Sequence, residues 1–178
     1  MRKILGKEFF NRETKVVAKD LLGKFLVRKI GAKEISVMII ETEAYDGLRD
    51  RASHAFKGRT KRTEVMFGHP RVFYVYLCYG MYYMLNVVTR EYDYPAAVLV
   101  RGIIGEGVAL HGPGKVAKFL NIDKQLNCLE AGRAAGLWFE DRGTKIKEHQ
   151  IIKRARVGVA YAGPTWSLKK LRFVWQQR

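Results

Sequence analysis

The sequence predicts an α+β fold: a single domain over residues 1–178 with a curved, mostly antiparallel sheet, flanking helices and a protruding β-hairpin. Three observations carry this prediction. Segments with strand character outnumber helical ones and are mostly joined by short turns. At 178 residues the chain is long enough for one real core and too short for two comfortable ones. No internal repeat, low-complexity tract or Pro/Gly-rich linker divides it.

From the N-terminus, Asn11 is placed to cap a helix running to Leu22, because Val16, Val17, Leu21 and Leu22 form a helical stripe and Gly23 stops it. "KFLVRKI" and "EISVMIIETEAY" read as strands joined by a turn at Gly31-Ala32-Lys33. Residues 48–71 are irregular and basic, with seven Lys or Arg against two acids. The Tyr-rich hairpin "YVYLCYGMYYMLNVV", Tyr74 to Val88, follows, and then the strand "AAVLVRGII". "HGPGKVAKFLNI" sets Pro113 near the start of a further helix. Residues 142–178 carry ten Lys or Arg against Glu148 alone, around two apolar stretches that read as strands, "RVGVAYAG" and "KLRFVW".

Charge narrows the function. Lys and Arg total 33 against 17 acids, a net +16, which favours a polyanionic partner: nucleic acid, an acidic membrane surface or an acidic protein. The basic residues sit in loops between strands rather than in one tail, which suits a binding face. A membrane is the weaker candidate, since no apolar run approaches the roughly 20 residues of a spanning helix. "MRKILGKEFFNRETK" also lacks an apolar stretch long enough for a secretory signal. Two cysteines, Cys78 and Cys128, make no disulfide framework and read as buried or semi-buried thiols of a reducing, intracellular compartment.

The acids of "VMIIETEAY" follow strand parity. If the strand continues, Ile35, Val37, Ile39, Glu41, Glu43 and Tyr45 share one face. Glu41 and Glu43 then stand either at a wet strand end or in a pocket where desolvation raises a pKa. Carboxyls so spaced lie roughly 6 to 7 Å apart along the strand, compatible with a glycosidase pair, although a neutral sugar has no use for +16. In the hairpin, Tyr74 and Tyr76 share one face and Val75 and Leu77 the other, with Cys78-Tyr79-Gly80-Met81 as the turn. Beyond it, Tyr82, Met84 and Asn86 face one way and Met81, Tyr83 and Leu85 the other. Tyr79 is a large ring at a turn tip, either folded back on the sheet or free to enter a base stack. Asn86 is a polar side chain on an apolar strand and needs a partner or a use.

Other signals carry little. "GPGK" fails the phosphate-loop pattern, with Ala109 where Gly is needed and Val116 after Lys115. His54, His69, His111 and His149 include no two at zinc-site spacing, so no metal is implied. Ser53-His54 alone does not make a triad.

Together "ETEAY", "SHAFKGRTKR", "MFGHPRVFYVYLCYGMYYMLNVV", "VLVRG", "GPGK" and "RVGVAYAG" closely resemble the alkyladenine (3-methyladenine) DNA glycosylase family, over about residues 8 to 173. The resemblance implies a monofunctional, cofactor-free and monomeric enzyme of base excision repair. It would flip 3-methyladenine, 7-methylguanine, hypoxanthine or ethenoadenine out of duplex DNA and hydrolyse the N-glycosidic bond. Carried over by position, it makes Glu43 the general base for water and Arg101 its helper. Tyr45, His54 and Tyr76 become walls stacking on the flipped base, Tyr79 the intercalating residue, and Asn86 a gate against the guanine amino group. The backbone near "RVGV" borders the pocket. A non-catalytic nucleic-acid binder that stacks bases on its tyrosines is the alternative of another class.

Overall fold

The structure, a computed structural model, describes residues 2–176. Its centre is a pair of long antiparallel strands, β3 (Lys33–Asp46) and β6 (Ala96–Gly105), around which eight shorter strands assemble. On one side β2 (Phe25–Ile30) pairs with the first half of β3, and β8 (Leu137–Asp141) and β1 (Lys3–Ile4) extend the sheet outward. Where β2 ends, β10 (Arg172–Trp175) takes over the same edge of β3 and carries β9 (Ile151–Arg154). On the other side β6 pairs with β5 (Tyr82–Val88), which pairs with β4 (Phe73–Cys78), and also with β7 (Val108–His111). All these pairings are antiparallel, as expected for the predicted class.

The main core lies on one face of the sheet. Val17, Ala18 and Leu21 from α2 (Thr14–Asp20) and its C-cap, with Val116, Ala117 and Leu120 from α3 (Pro113–Phe119) and its C-cap, pack on Val37, Ile39, Leu85, Val87, Val98 and Val100. The opposite face carries a smaller cluster. There Ala55, Met66 and Phe67 cover Tyr74, Val88 and Ala97. Residues 48–71, irregular as expected, therefore form a packed flap with two 3₁₀ turns, His54–Lys57 and Glu64–Phe67.

Four expectations are corrected. The helix expected after Asn11 is α2 and starts at Thr14: the Asn11 N–H donates to the Lys7 carbonyl and closes a separate short helix, α1 (Lys7–Phe10). "RVGVAYAG" is no strand, because Arg156 is drawn inward by Asp50 and residues 160–162 turn into a 3₁₀ step before α4 (Gly163–Ser167). Cys78 is partly buried as expected but Cys128 is exposed, its Sγ taking only the Asn127 side-chain amide at 3.3 Å. The fourth, the parity of β3, shapes the functional face.

Candidate active site

Two compensating bulges interrupt the β3–β6 ladder. Register runs from Ile39↔Ile103 to Glu41↔Gly102 and then to Thr42↔Val100, so Ile40 on β3 and Arg101 on β6 are each one residue extra. An extra residue reverses which way later side chains point. Val37 and Ile39 face the main core, but beyond the bulge Ala44 does, and Thr42 Oγ1 donates to the Ala18 carbonyl of α2. Glu41, Glu43 and Tyr45 are turned to the opposite face and do not continue the row of Ile35, Val37 and Ile39. Gly102 makes the crossing possible: a Cβ there would stand 2.8 Å from the Glu41 Cβ, closer than real side chains tolerate.

Glu43 is buried behind a cleft of about 1210 Å³ that is lined by Tyr45, His54, Tyr76, Asn86, Arg101 and Val157, among others, and it contacts three of these residues, Tyr45, Arg101 and Val157. Its side chain is fully buried and each oxygen has donors. Oε1 accepts from the Val157 backbone N–H at 2.9 Å and has Arg101 Nε at 3.4 Å; Oε2 accepts from the Tyr45 hydroxyl at 2.8 Å. Burial raises the Glu43 pKa, and Arg101, the Val157 N–H and Tyr45 offset this only in part. The result is a carboxylate that is desolvated, oriented and more basic than usual.

Glu41 differs. Burial pushes it up as well, but hydrogen bonds from Arg101, Arg172 and His111 overcome this and hold its pKa low. Both carboxylates contact the same Arg101 nitrogen, so they do not flank an open site as a glycosidase pair would.

The cleft has aromatic walls. Tyr45 lies over the Arg156 guanidinium, whose carbon is 4.7 Å from the ring centre, and Arg156 is held by a two-pronged pair with Asp50 at 2.5 and 2.8 Å. Opposite, His54 Nδ1 is 2.8 Å from the Tyr74 hydroxyl, and its ring meets Tyr76 edge-on at 4.7 Å. Burial, with Arg62 nearby, lowers the His54 pKa to about 4, so the imidazole is neutral at pH 7. The Arg62 guanidinium sits 4.9 Å from the Tyr76 ring centre. Asn86, buried on β5 beside the Tyr pair, donates from Nδ2 to the Tyr74 carbonyl at 3.1 Å.

The hairpin turn lies at the cleft's mouth. Register pairs Tyr74 with Asn86, Tyr76 with Met84 and Cys78 with Tyr82, the faces expected from alternation. Tyr79 and Gly80 both have positive φ, 50° and 68°, and Met81 N–H donates to the Cys78 carbonyl at 3.1 Å, so a β-turn with two left-handed central residues opens the three-residue loop between Cys78 and Tyr82. Tyr79 is 86% exposed and Met81 68%, so the ring does not fold back on the sheet. Tyr161, 69% exposed, also lines the cleft.

Six of the seven candidate residues, Arg101, Tyr45, His54, Tyr76, Tyr79 and Asn86, line this cleft, and Glu43 lies buried behind it in contact with Tyr45, Arg101 and Val157. Sequence reasoning missed Arg156, Asp50 and Arg172, whose roles depend on partners 106 to 131 positions away. Val157 acts through its backbone N–H, which has no residue-type signature. Among the described residues no three His, Cys, Asp or Glu side chains gather into a metal-binding group, and no helix is long and apolar enough to cross a membrane.

Known proteins are similar in sequence over most of the chain. The model of the family described as Methylpurine-DNA glycosylase (MPG) matches residues 8–178. A protein of Methanocella arvoryzae, assigned by name as a 3-methyladenine DNA glycosylase, is 42% identical over 96% of this chain and 91% of its own length. Relatives given the same assignment in Clostridium perfringens and Legionella pneumophila are 38% and 42% identical, covering 89% and 97% of this chain and 89% and 94% of their own.

Proposed function

The chain belongs to the methylpurine-DNA glycosylase family, and from that premise we propose that it hydrolyses damaged purines from duplex DNA with a water activated by Glu43. As a family member it is a DNA glycosylase, a hydrolase of the N-glycosyl bond that serves DNA repair. The lesions proposed are 3-methyladenine, 7-methylguanine, hypoxanthine and ethenoadenine, and the enzyme is proposed to act as a monomer. Its partner is double-stranded DNA, and the +16 charge supplies a grip on phosphates that weakens steeply with salt.

The observation that supports the reading is Glu43: a buried, raised-pKa carboxylate with two hydrogen-bond donors and Arg101 beside it, set against the lining of an aromatic cleft. In the proposed route a purine leaves the stack and slides between Tyr45 on one side and His54 with Tyr76 on the other. Tyr79 fills the gap in the duplex. Asn86, fixed by its bond to the Tyr74 carbonyl, meets the purine edge and clashes with a guanine amino group. Glu43 takes a proton from a water as that water attacks the electron-poor sugar carbon, and the purine departs with the bond electrons. An alkylated purine is already cationic and leaves readily. His54, neutral at pH 7, is proposed as a wall of the base site. No cofactor enters the route.

Single-turnover excision on a duplex with one hypoxanthine, and on methylated DNA, tests this with wild type beside Glu43→Gln. Loss of the base should lower the rate constant by about 10²–10⁴-fold while duplex binding persists. Equal excision by both proteins would remove Glu43 from its role. No excision by wild type, with tight duplex binding retained, would favour the non-catalytic base-stacking module.

A further inference from the structure

Glu41, the first acid of "ETEAY", has no task in that route, yet its environment is as elaborate as that of Glu43. It is 4% exposed and takes Arg101 Nε at 3.0 Å and Arg172 Nη1 at 3.1 Å on Oε1, with His111 Nδ1 at 3.4 Å from Oε2. Burying a carboxylate is costly unless its hydrogen-bonding capacity is met, and here three elements converge to meet it: β6, β10 and β7. The β3 bulge and Gly102 give it the room.

Arg101 Nε lies between the two acids, 3.0 Å from Glu41 and 3.4 Å from Glu43. One N–H serves one acceptor well, and the shorter contact is to Glu41. We propose that Glu41 is a positioning residue: it anchors the Arg101 guanidinium off Glu43, close enough to orient the reacting water yet not paired so tightly that Glu43 loses its basicity. The proposal rests on the reading of Glu43 as the base.

The groups facing Glu43 fix the direction of its response. Arg101 comes from β6, Tyr45 and Glu41 from β3, Arg156 from the loop before Val157, and Arg172 from β10 in register with Glu43, while His111 of β7 reaches it only through Glu41. Arg156 is committed to Asp50, and Arg172 also donates to the Ala155 carbonyl. Neutralising Glu41 therefore removes a nearby negative charge and releases Arg101 toward Glu43. Both effects favour ionised, less basic Glu43.

The test is the pH dependence of single-turnover hypoxanthine excision by wild type, Glu41→Gln and Glu41→Asp, with lesion-duplex Kd measured alongside. Glu41→Gln should lower the maximal rate about 10- to 100-fold, the scale of a misplaced catalytic group, with Kd changed far less. Its acid limb should move to lower pH, and Glu41→Asp, which keeps the charge, should return the limb toward wild type. A merely structural Glu41 would reduce the rate and leave the limb in place, and that result overturns the proposal. Should Glu41→Gln not fold, Arg172→Gln removes a cation outside the cleft, and the limb should move to higher pH; an unmoved limb there is equally fatal. Failure of wild type to excise sinks the Glu43 reading and this inference with it. An unmoved limb in an active enzyme sinks this inference alone.

Discussion

Tyr79 occupies a turn position that suits another residue better. The β-turn centred on Tyr79 and Gly80 has positive φ at both, and Asn suits the first of these positions because it tolerates the left-handed region. A non-glycine residue held there costs on the order of 1–3 kcal/mol, least for Asn. At 86% exposure the Tyr79 ring gains almost no burial in return. Tyr79→Asn should therefore leave stability unchanged or raise it by up to about 1 kcal/mol, some 2–4 °C in Tm for a chain of this length. Lesion binding should move the other way. Stacking of an aromatic ring on bases is worth about 1–3 kcal/mol, so affinity for a hypoxanthine or ethenoadenine duplex should fall about 5- to 150-fold. Anisotropy binding on damaged and undamaged duplexes, ethenoadenine fluorescence for the flipped state, and a calorimetric melt measure the three quantities. A melt that drops several degrees, or a flipped fraction that is unchanged, would refute the reasoning by returning Tyr79 to a packing role.

The other predictions follow from the same geometry. His54 has a folded pKa of about 4, below its usual 6.5, so its stabilising contribution is fully present above pH 6.5 and is lost as pH falls toward 4. His54→Gln should flatten that part of the stability–pH curve in urea titrations; an unaltered slope contradicts it. Asn86→Ser should release undamaged guanine with a gain of about 10- to 200-fold in single-turnover assays, the range open to one steric element, while hypoxanthine excision persists. Arg156→Met strands the fully buried Asp50 carboxylate and should cost about 3–5 kcal/mol, with Asp50→Asn added in the double variant restoring most of it. A thermal or urea loss below about 1 kcal/mol would show that the pair carries little.

Sequence periodicity made the sheet legible where pairing is regular. β2, β3, β6, β10 and the β4–β5 hairpin coincide, to within a residue or two at their ends, with the stretches that alternation and turn residues mark out. β8 escaped because Leu137, Trp138, Phe139 and Glu140 are buried without alternation: Leu137 and Phe139 enter the core, while Trp138 Nε1 bonds Glu140 at 2.7 Å and the Arg133 guanidinium covers its ring at 5.0 Å. "RVGVAYAG" has strand composition, but the Arg156–Asp50 pair overrides propensity there. The seven site residues were legible through resemblance, since the physical signal of each alone was weak. Arg156, Asp50 and Arg172 had no such signal, because a buried ion pair is visible in sequence only to someone who already knows what it touches.

The β3 bulge shows why local rules fail at this particular place. Strict alternation would have buried Glu41 and Glu43 in the same row as Val37 and Ile39, against Leu26 and Leu85 in an apolar core with no cation to meet them. One extra residue on each of two paired strands, Ile40 and Arg101, turns both acids outward and brings the arginine between them. The same step sends Thr42 inward, where its hydroxyl finds the Ala18 carbonyl at 2.7 Å and remains satisfied. Bulge, glycine, arginine and two acids are thus one device: Gly102 gives the space, Ile40 changes the parity, and Arg101 joins the carboxylates. The breakdown of alternation between Ile39 and Thr42 is therefore itself a marker of the site.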